Sequence, residues 1–452
     1  MHRTLRSTCA LAALLLACDP GDVTDLRDVR DVRDVTQGGA EIAARAARPE
    51  LGIAAASSVR RERLSGDVFH YEFVVPVGDG PNAALHIHRV VRERAPFQPR
   101  RSSAAVMLMH GDFATFATSF APVLGDPVSI ATGMATWLAE RGIDVWGLDR
   151  RWARAPADGA DLSDFEDMGV EQDLADIGKS LAFARAIRLV TDGSTERMTL
   201  VGFSRGGELA YFYASAEATR PAWQRHVKGL VPLDVYVSLS PADEDLRQFF
   251  CEIAAGGYEA LAAGEVDSPN GFQIFLGQQA LAAPDAPTEI EFYAGLTNLQ
   301  AMDAFVGQTY ALFPASPLYH LNAPVLRGDL VTGLRESSED VVAHWLAGAP
   351  FHQSIREAAD TDALTCGDAP LPIDVPLSRI RVPLLLIAAA GGYGAHALHS
   401  TTQVSSTDVT ALVIRRLPED REAEDFGHAD ILFADDAALL AWQPLLGWLR
   451  AH

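Results

Sequence analysis

Short apolar runs alternate with amphipathic ones along most of the chain, and that alternation restricts the fold more than any other feature. "SAAVMLMHG" (103–111) reads as a buried strand, "DPVSIATGMATWLAERG" (126–142) as a helix ending at glycine, and "IDVWGLD" (143–149) as a strand again. "VEQDLADIGKSLAFARAIRLV" (170–190) is helical, "RMTLVGF" (197–203) a strand, "RGGELAYFYASAEA" (205–218) helical and "KGLVPLDVYV" (228–237) a strand. Apolar strands interleaved with helices give an α/β fold, a mostly parallel twisted sheet covered by helices on both faces. Before the alternation, "VFHYEFVVPV" (68–77) and "AALHIHRVV" (83–91) read as two strands joined by the turn "GDGPN". At 452 residues, 48% hydrophobic and 21% charged, the chain can fill one large core or two moderate ones.

The alternation halts at residue 241. Residues 241–375 carry helical pattern and proline-bounded loop without a convincing apolar strand, until "VPLLLIAAA" (382–390) and "VTALVIRRL" (409–417) resume the sheet. "ALLAWQPLLGWLRA" (438–451) then closes the chain as an amphipathic helix. An insertion of that size between two sheet strands is expected to be a cap domain, mainly helical, spanning 241–375. The core is then 59–240 together with 376–452.

The first stretch, "MHRTLRSTCALAALLLAC", has Arg3 and Arg6, an apolar run to Ala17, then Cys18. It reads as an export signal whose apolar core is too short to span a bilayer. The ending "LLAC" resembles a bacterial lipobox, which implies a signal peptide over 1–17, a lipidated Cys18 and a place in the bacterial cell envelope. An ordinary secretory signal with an incidental cysteine is the alternative, and Asp19 leaves open which membrane holds the anchor. From Asp22 to Thr36 an Asp-aliphatic-Arg/Thr triplet repeats five times. A period of three suits neither helix nor strand burial, so 18–58 is expected to be a solvated, disordered tether. With Cys9 removed and Cys18 committed to lipid, Cys251 and Cys366 remain, and in an oxidising compartment they are expected to form one disulfide rather than two buried thiols. The net charge of −23 argues against nucleic acid, which needs a basic face. Oligomeric state is not legible.

"TLVGFSRGGELA" contains Gly202-Phe203-Ser204-Arg205-Gly206, a G-x-S-x-G pattern between an apolar strand and an amphipathic helix. The glycines let the strand turn sharply into the helix, so the Ser204 hydroxyl is lifted out in a strained conformation while the next amide faces a developing oxyanion. A glycine-rich phosphate loop is the rival, but the Lys-Ser/Thr of such loops is missing. "VMLMHGDF" ends a strand at His110-Gly111-Asp112, where His110 is expected to brace the loop. Near the end, "DFGHADILF" places His428 on a loop beside Gly427, between the last strand and the last helix. Imidazole is the side chain whose ordinary pKa suits a base for Ser204.

Taken together, the strand order, Gly202 to Gly206, the strand-ending His-Gly and the late His428 resemble the α/β-hydrolase superfamily over about residues 60–450. That resemblance implies Ser204 as nucleophile, His428 as base, and the backbone amides of Asp112 and Arg205 as oxyanion donors. It also implies an acid. In most members this follows the seventh strand, where the present chain has "AAAGGYGAH" (388–396) and no carboxylate. A minority place it after the sixth strand, and there Asp234 stands in an apolar run, a costly place for a carboxylate that lacks a partner. Asp408 is the reserve, whereas Asp425 and Asp430 are too close to His428 in sequence to reach its far nitrogen easily, though Asp430 could cap the segment that follows. Arg150, Arg151, Trp152 and Arg154 lie at the same sheet edge and are expected to pair with Asp161, Asp164, Glu166 and Asp167 rather than bind substrate.

His86 and His88 share one strand face with no third ligand, so no metal is expected, and no cofactor. The expected activity is hydrolysis of a carboxylic ester or lipid-like acyl substrate, since the insertion is rich in Phe, Tyr and Leu. Acyl transfer or peptide hydrolysis on the same triad is the nearest rival. A catalytically inactive surface lipoprotein that holds a lipid or glycan is the rival from another class, and the absent seventh-strand acid speaks for it.

Overall fold

The runs that the alternation marks as strands pair into one sheet. The computed structural model describes residues 55–121, 133–309, 319–367 and 373–452, with Ala44 and Ala47 besides. The expected signal peptide, Cys18 and nearly all of the tether lie outside them. The sheet comprises β1 (Ser58–Ser65), β2 (Val68–Pro76), β3 (Ala84–Ala95), the two-residue β4 (Gln98–Pro99), β5 (Ala104–Met109), β6 (Ile143–Asp149), β7 (Met198–Phe203), β8 (Val227–Leu233), β11 (Leu384–Ala389) and β12 (Val409–Ile414). Its order is β1-β2-β3-β6-β5-β7-β8-β11-β12, with β4 on the edge of β3. From β6 to β12 every pairing is parallel, while β1, β2 and β3 run antiparallel to their neighbours.

Before the insertion, the helices are α1 (Phe116–Phe120), α2 (Met134–Glu140), α3 (Val170–Asp192) and α4 (Arg205–Glu217). One core lies between the sheet and α3 with α4, where Ile177, Leu181, Ile187, Leu209 and Tyr211 meet Met107, Leu200 and Leu230. A second core fills the other face, where Leu138 and the C-terminal Trp442, Leu445 and Leu449 meet Val106, Val201 and Ile387. Strands buried on both faces account for the unbroken apolar runs β5 and β7.

Between β8 and β11 the chain forms α5 (Glu244–Ala262), α6 (Gly271–Ala282), α7 (Asn298–Gly307), the hairpin β9 (Pro324–Arg327) with β10 (Leu330–Leu334), α8 (Glu339–Ala347) and α9 (Ile355–Cys366). After it come α10 (Gly394–Thr402), α11 (Asp430–Phe433) and α12 (Gln443–Ala451). The insertion has a small apolar core of its own around Leu276, Met302, Val306, Val342 and Leu346.

Three expectations need correction. Strand β8 ends at Leu233 rather than running to Val237, because Asp234 takes φ 44° and turns the chain out of the sheet. The hairpin β9–β10 interrupts a stretch expected to be helix and loop; its four and five residues are too short to show a period. Strand β1, "SVRRERLS", goes unrecognised in the sequence because it is a sheet edge with Val59 alone buried.

Candidate active site

Strands β7 and β8 end in register, Phe203 opposite Leu233, and each is followed by a residue in the left-handed region. Ser204 has φ 53° and ψ −131° and opens α4, while Asp234 has φ 44°. For residues other than glycine this conformation is costly, so two adjacent strands spend strain to lift a hydroxyl and a carboxylate from the same sheet edge. The close approach needs the glycines: a Cβ on Gly202 would overlap the Gly206 backbone, and one on Gly206 would overlap the Met109 carbonyl. The Ser204 amide donates to Leu233 O at 3.1 Å, and its hydroxyl makes no hydrogen bond among the described residues.

His428 arrives on the loop before α11 and is 2% exposed. Its Nδ1 lies 2.6 Å from Asp234 Oδ2, and Asp234 is fully buried. The carboxylate requires a donor at that distance, which puts the proton on Nδ1 and leaves Nε2 as acceptor. Asp234 Oδ1 also accepts from the Ala389 amide at 2.8 Å, and the Tyr393 amide donates to the same carboxylate at 3.1 Å. A Cβ on Gly392 would overlap Asp234 Oδ2. The glycine-rich exit of β11, which lacks an acid, is therefore the cradle of the acid on β8. Phe203 stacks on the His428 ring at 4.6 Å, and Tyr393 and Tyr319 flank it at 5.1 and 5.5 Å.

The other expected residues fall as follows. Asp408 is exposed and bonds His452 at 3.0 Å, away from His428. Asp425 accepts from the Arg416 and Phe426 amides. Asp430 binds the amides of Ala323 and Gly427 at 2.8 Å and the side chains of Asn322 and Ser337, so it ties the histidine loop to the insertion rather than capping a helix. Cys251 and Cys366 bring their sulphurs to 2.04 Å.

Gly111 packs so tightly that an added Cβ would come within 2.9 Å of Ser204 Cβ, which sets the Gly111–Asp112 peptide beside the Ser204 turn. The amides of Asp112 and Arg205 have no acceptor among the described residues, and Arg205, as first residue of α4, can have none within the helix. His110 accepts the Arg150 amide at 3.1 Å through Nε2 and donates to Gly111 O at 2.9 Å through Nδ1. Burial and the Arg150 guanidinium push it down to about 3, so it is neutral and braces the loop. Arg150 itself is buried and bonds Gly111 O, His110 O and Glu357 of α9.

The arginines after β6 do pair with acids, though not with those expected. Arg151 binds Asp176, Arg154 binds Glu72, and Trp152 donates to Glu357 at 2.7 Å. Arg205, whose amide faces the site, sends its side chain to Asp112, Glu208 and Asp362. Of the strand histidines, His88 bridges His70 and Asp149, and His86 bonds Glu72. Sequence reading missed Glu357, Asp362 and Gln353, because nothing in a helical pattern says which polar residue will be buried against the core. Among the described residues no group of three or more His, Cys, Asp or Glu is arranged to hold a metal ion, and no helix is long and apolar enough to cross a membrane.

Among solved structures, a candidate lipase from Sulfolobus solfataricus is similar over 87% of this chain and 99% of its own, with TM-score 0.58 at 17% identity. That likeness and the strand order define the class: the chain has the α/β-hydrolase fold. Looser likenesses carry no argument. They include a soluble variant of monoglyceride lipase from Saccharomyces cerevisiae, with TM-score 0.40 at 12% identity over 86% and 93% of the two chains, and an epoxide hydrolase from Vigna radiata, with 0.39 at 12% over 84% and 98%. No protein-family model matches the chain, and no curated protein does.

Proposed function

We propose that this protein is a serine hydrolase that cleaves carboxylic esters through Ser204, His428 and Asp234. The observation that carries the reading is the buried 2.6 Å contact between Asp234 and His428, made at the sheet edge where Ser204 is raised. The fold by itself would not support it, since one fold hosts many chemistries. With Nδ1–H held by Asp234, His428 Nε2 takes the Ser204 proton as the hydroxyl attacks the ester carbonyl. The carbonyl oxygen becomes an anion, which the Asp112 and Arg205 amides receive. His428 then protonates the leaving alkoxide, and water deacylates the serine by the same route in reverse.

The rings of Phe203, Tyr319 and Tyr393 around His428 favour an apolar acyl group, and we read the insertion as a cap over that pocket. The rival reading as an inactive surface lipoprotein draws on the missing acid after β11, whereas the Asp234 carboxylate that β11 cradles against His428 supports the triad. Export with a lipid anchor at Cys18 belongs to the same proposal; the apposed sulphurs of Cys251 and Cys366 suit an oxidising compartment. A fluorophosphonate probe should label the wild-type protein and leave Ser204→Ala unlabelled, and Asp234→Asn should lower kcat by about 10⁴-fold with the fold kept. A wild-type protein that fails to label, or a Ser204→Ala variant that labels equally, would end the proposal.

A further inference from the structure

We propose that Gln353, from the insertion, is a positioning residue that sets the oxyanion hole of the core. The inference rests on the hydrolase reading above. One carboxamide grips two consecutive residues of the oxyanion loop: Gln353 Oε1 accepts the Phe113 amide at 2.9 Å, and Nε2 donates to Asp112 Oδ1 at 2.7 Å. An amide needs an acceptor and a carboxylate a donor, so the partners settle which end of the carboxamide is which.

The loop needs holding. Phe113 has φ 46°, a left-handed conformation that a phenylalanine does not keep unaided. Relaxation of that residue would turn the Asp112–Phe113 peptide and shift the Asp112 Cα, on which the neighbouring Gly111–Asp112 peptide and its oxyanion-facing N–H pivot. Gln353 is itself immobilised: it is 3% exposed, its amide donates to Asp267 Oδ1 at 3.1 Å, and its carbonyl accepts from Ser268 at 2.9 Å. On either side, His352 bonds Asp267 at 2.7 Å and Ser354 Oγ donates to Met168 O at 2.9 Å. The hole is thus steadied from two stretches of chain, and a residue 241 positions from Asp112 holds both its side chain and the peptide that follows it.

Gln353→Met keeps the length and removes both hydrogen bonds. With p-nitrophenyl acetate as substrate, kcat should fall about tenfold to a hundredfold while KM stays within about twofold, because the hole acts in the transition state. Inactivation by a fluorophosphonate should slow by a similar factor. The pH profile should keep its midpoint, since no charge changes. In Gln353→Glu, which serves if the methionine variant does not fold, the acceptor for Phe113 remains but a carboxylate faces Asp112, so kcat relative to wild type should be low at alkaline pH and recover as pH falls. Wild-type kcat in both variants, a loss confined to KM, or a glutamate variant without recovery overturns the proposal. A wild-type protein that does not label ends the hydrolase reading and this inference with it. Labelling of Gln353→Met at the wild-type rate ends this inference alone.

Discussion

At Asp234 the backbone bends to φ 44° straight out of an apolar strand, and both of its carboxylate oxygens are met by donors from other elements. That is why one carboxylate in an apolar run was legible: burial without partners would cost several kcal/mol, so its presence announced partners. Glu208 is the opposite case. It sits on the first turn of α4 beside Arg205, and one guanidinium serves Asp112, Glu208 and Asp362 together. Burial pushes Glu208 up to about 7 from 4.5, with Arg205 opposing and the other two carboxylates adding to the rise. A raised folded pKa gives stability that is complete below about 4.5 and lost as pH rises through about 7. Glu208→Gln cannot ionise, so its melting temperature should match wild type near pH 4.5 and exceed it above pH 8. A constant difference between the two across that range would show that Glu208 carries its charge throughout.

At the scale of elements, the core raises Ser204 and Asp234, and the insertion steadies what meets them. The His428 amide donates to His320 O at 3.0 Å and the Ala429 amide to Leu321 O, while Asp430 locks the same loop onto residues 322 and 323. Asp430→Ala should strand the Ala323 and Gly427 amides without their acceptor and loosen the histidine loop. We expect a loss of about 2–4 kcal/mol in urea unfolding and at least a tenfold fall in kcat. Retained kcat alongside the stability loss would mean that the loop holds itself. Such supports were invisible beforehand. Unbroken apolar runs and glycine spacing reveal β5, β7 and the turn at Ser204, because those signals are local. Asp430 reads as a cap, and Gln353 not at all, because Ser337 and Asp112, which their side chains hold, lie 93 and 241 residues away and only folding brings them near. Gly391-Gly392 was seen as a gap in the machinery; the room it leaves for Asp234 could be recognised only once β8 and β11 stood side by side.

For the whole molecule, the insertion is closed on itself in one place and held to the core in another. Near its start, α5 packs on α9, and the Cys251–Cys366 pair joins them across a separation of 115 residues. Near its end, α9 is bound to the core by Glu357 to Arg150 and by Asp362 to Arg205. Both arginines touch the loop at Gly111 and Asp112, so fraying of α9 reaches the candidate site through two ion pairs. A cross-link closing that many residues narrows the unfolded ensemble by up to about 5 kcal/mol in the chain-entropy model. Double replacement by serine should therefore lower the melting temperature, and activity should fall at lower temperature than the sheet unfolds, because α9 loosens first. Calorimetry alongside esterase activity on heating would check this, with thiol titration of the unreduced wild-type protein confirming that neither sulphur is free. Coincident loss of activity and of the sheet in the double-serine variant would instead make α9 and the core one cooperative unit, with the buried ion pairs sufficient to join them.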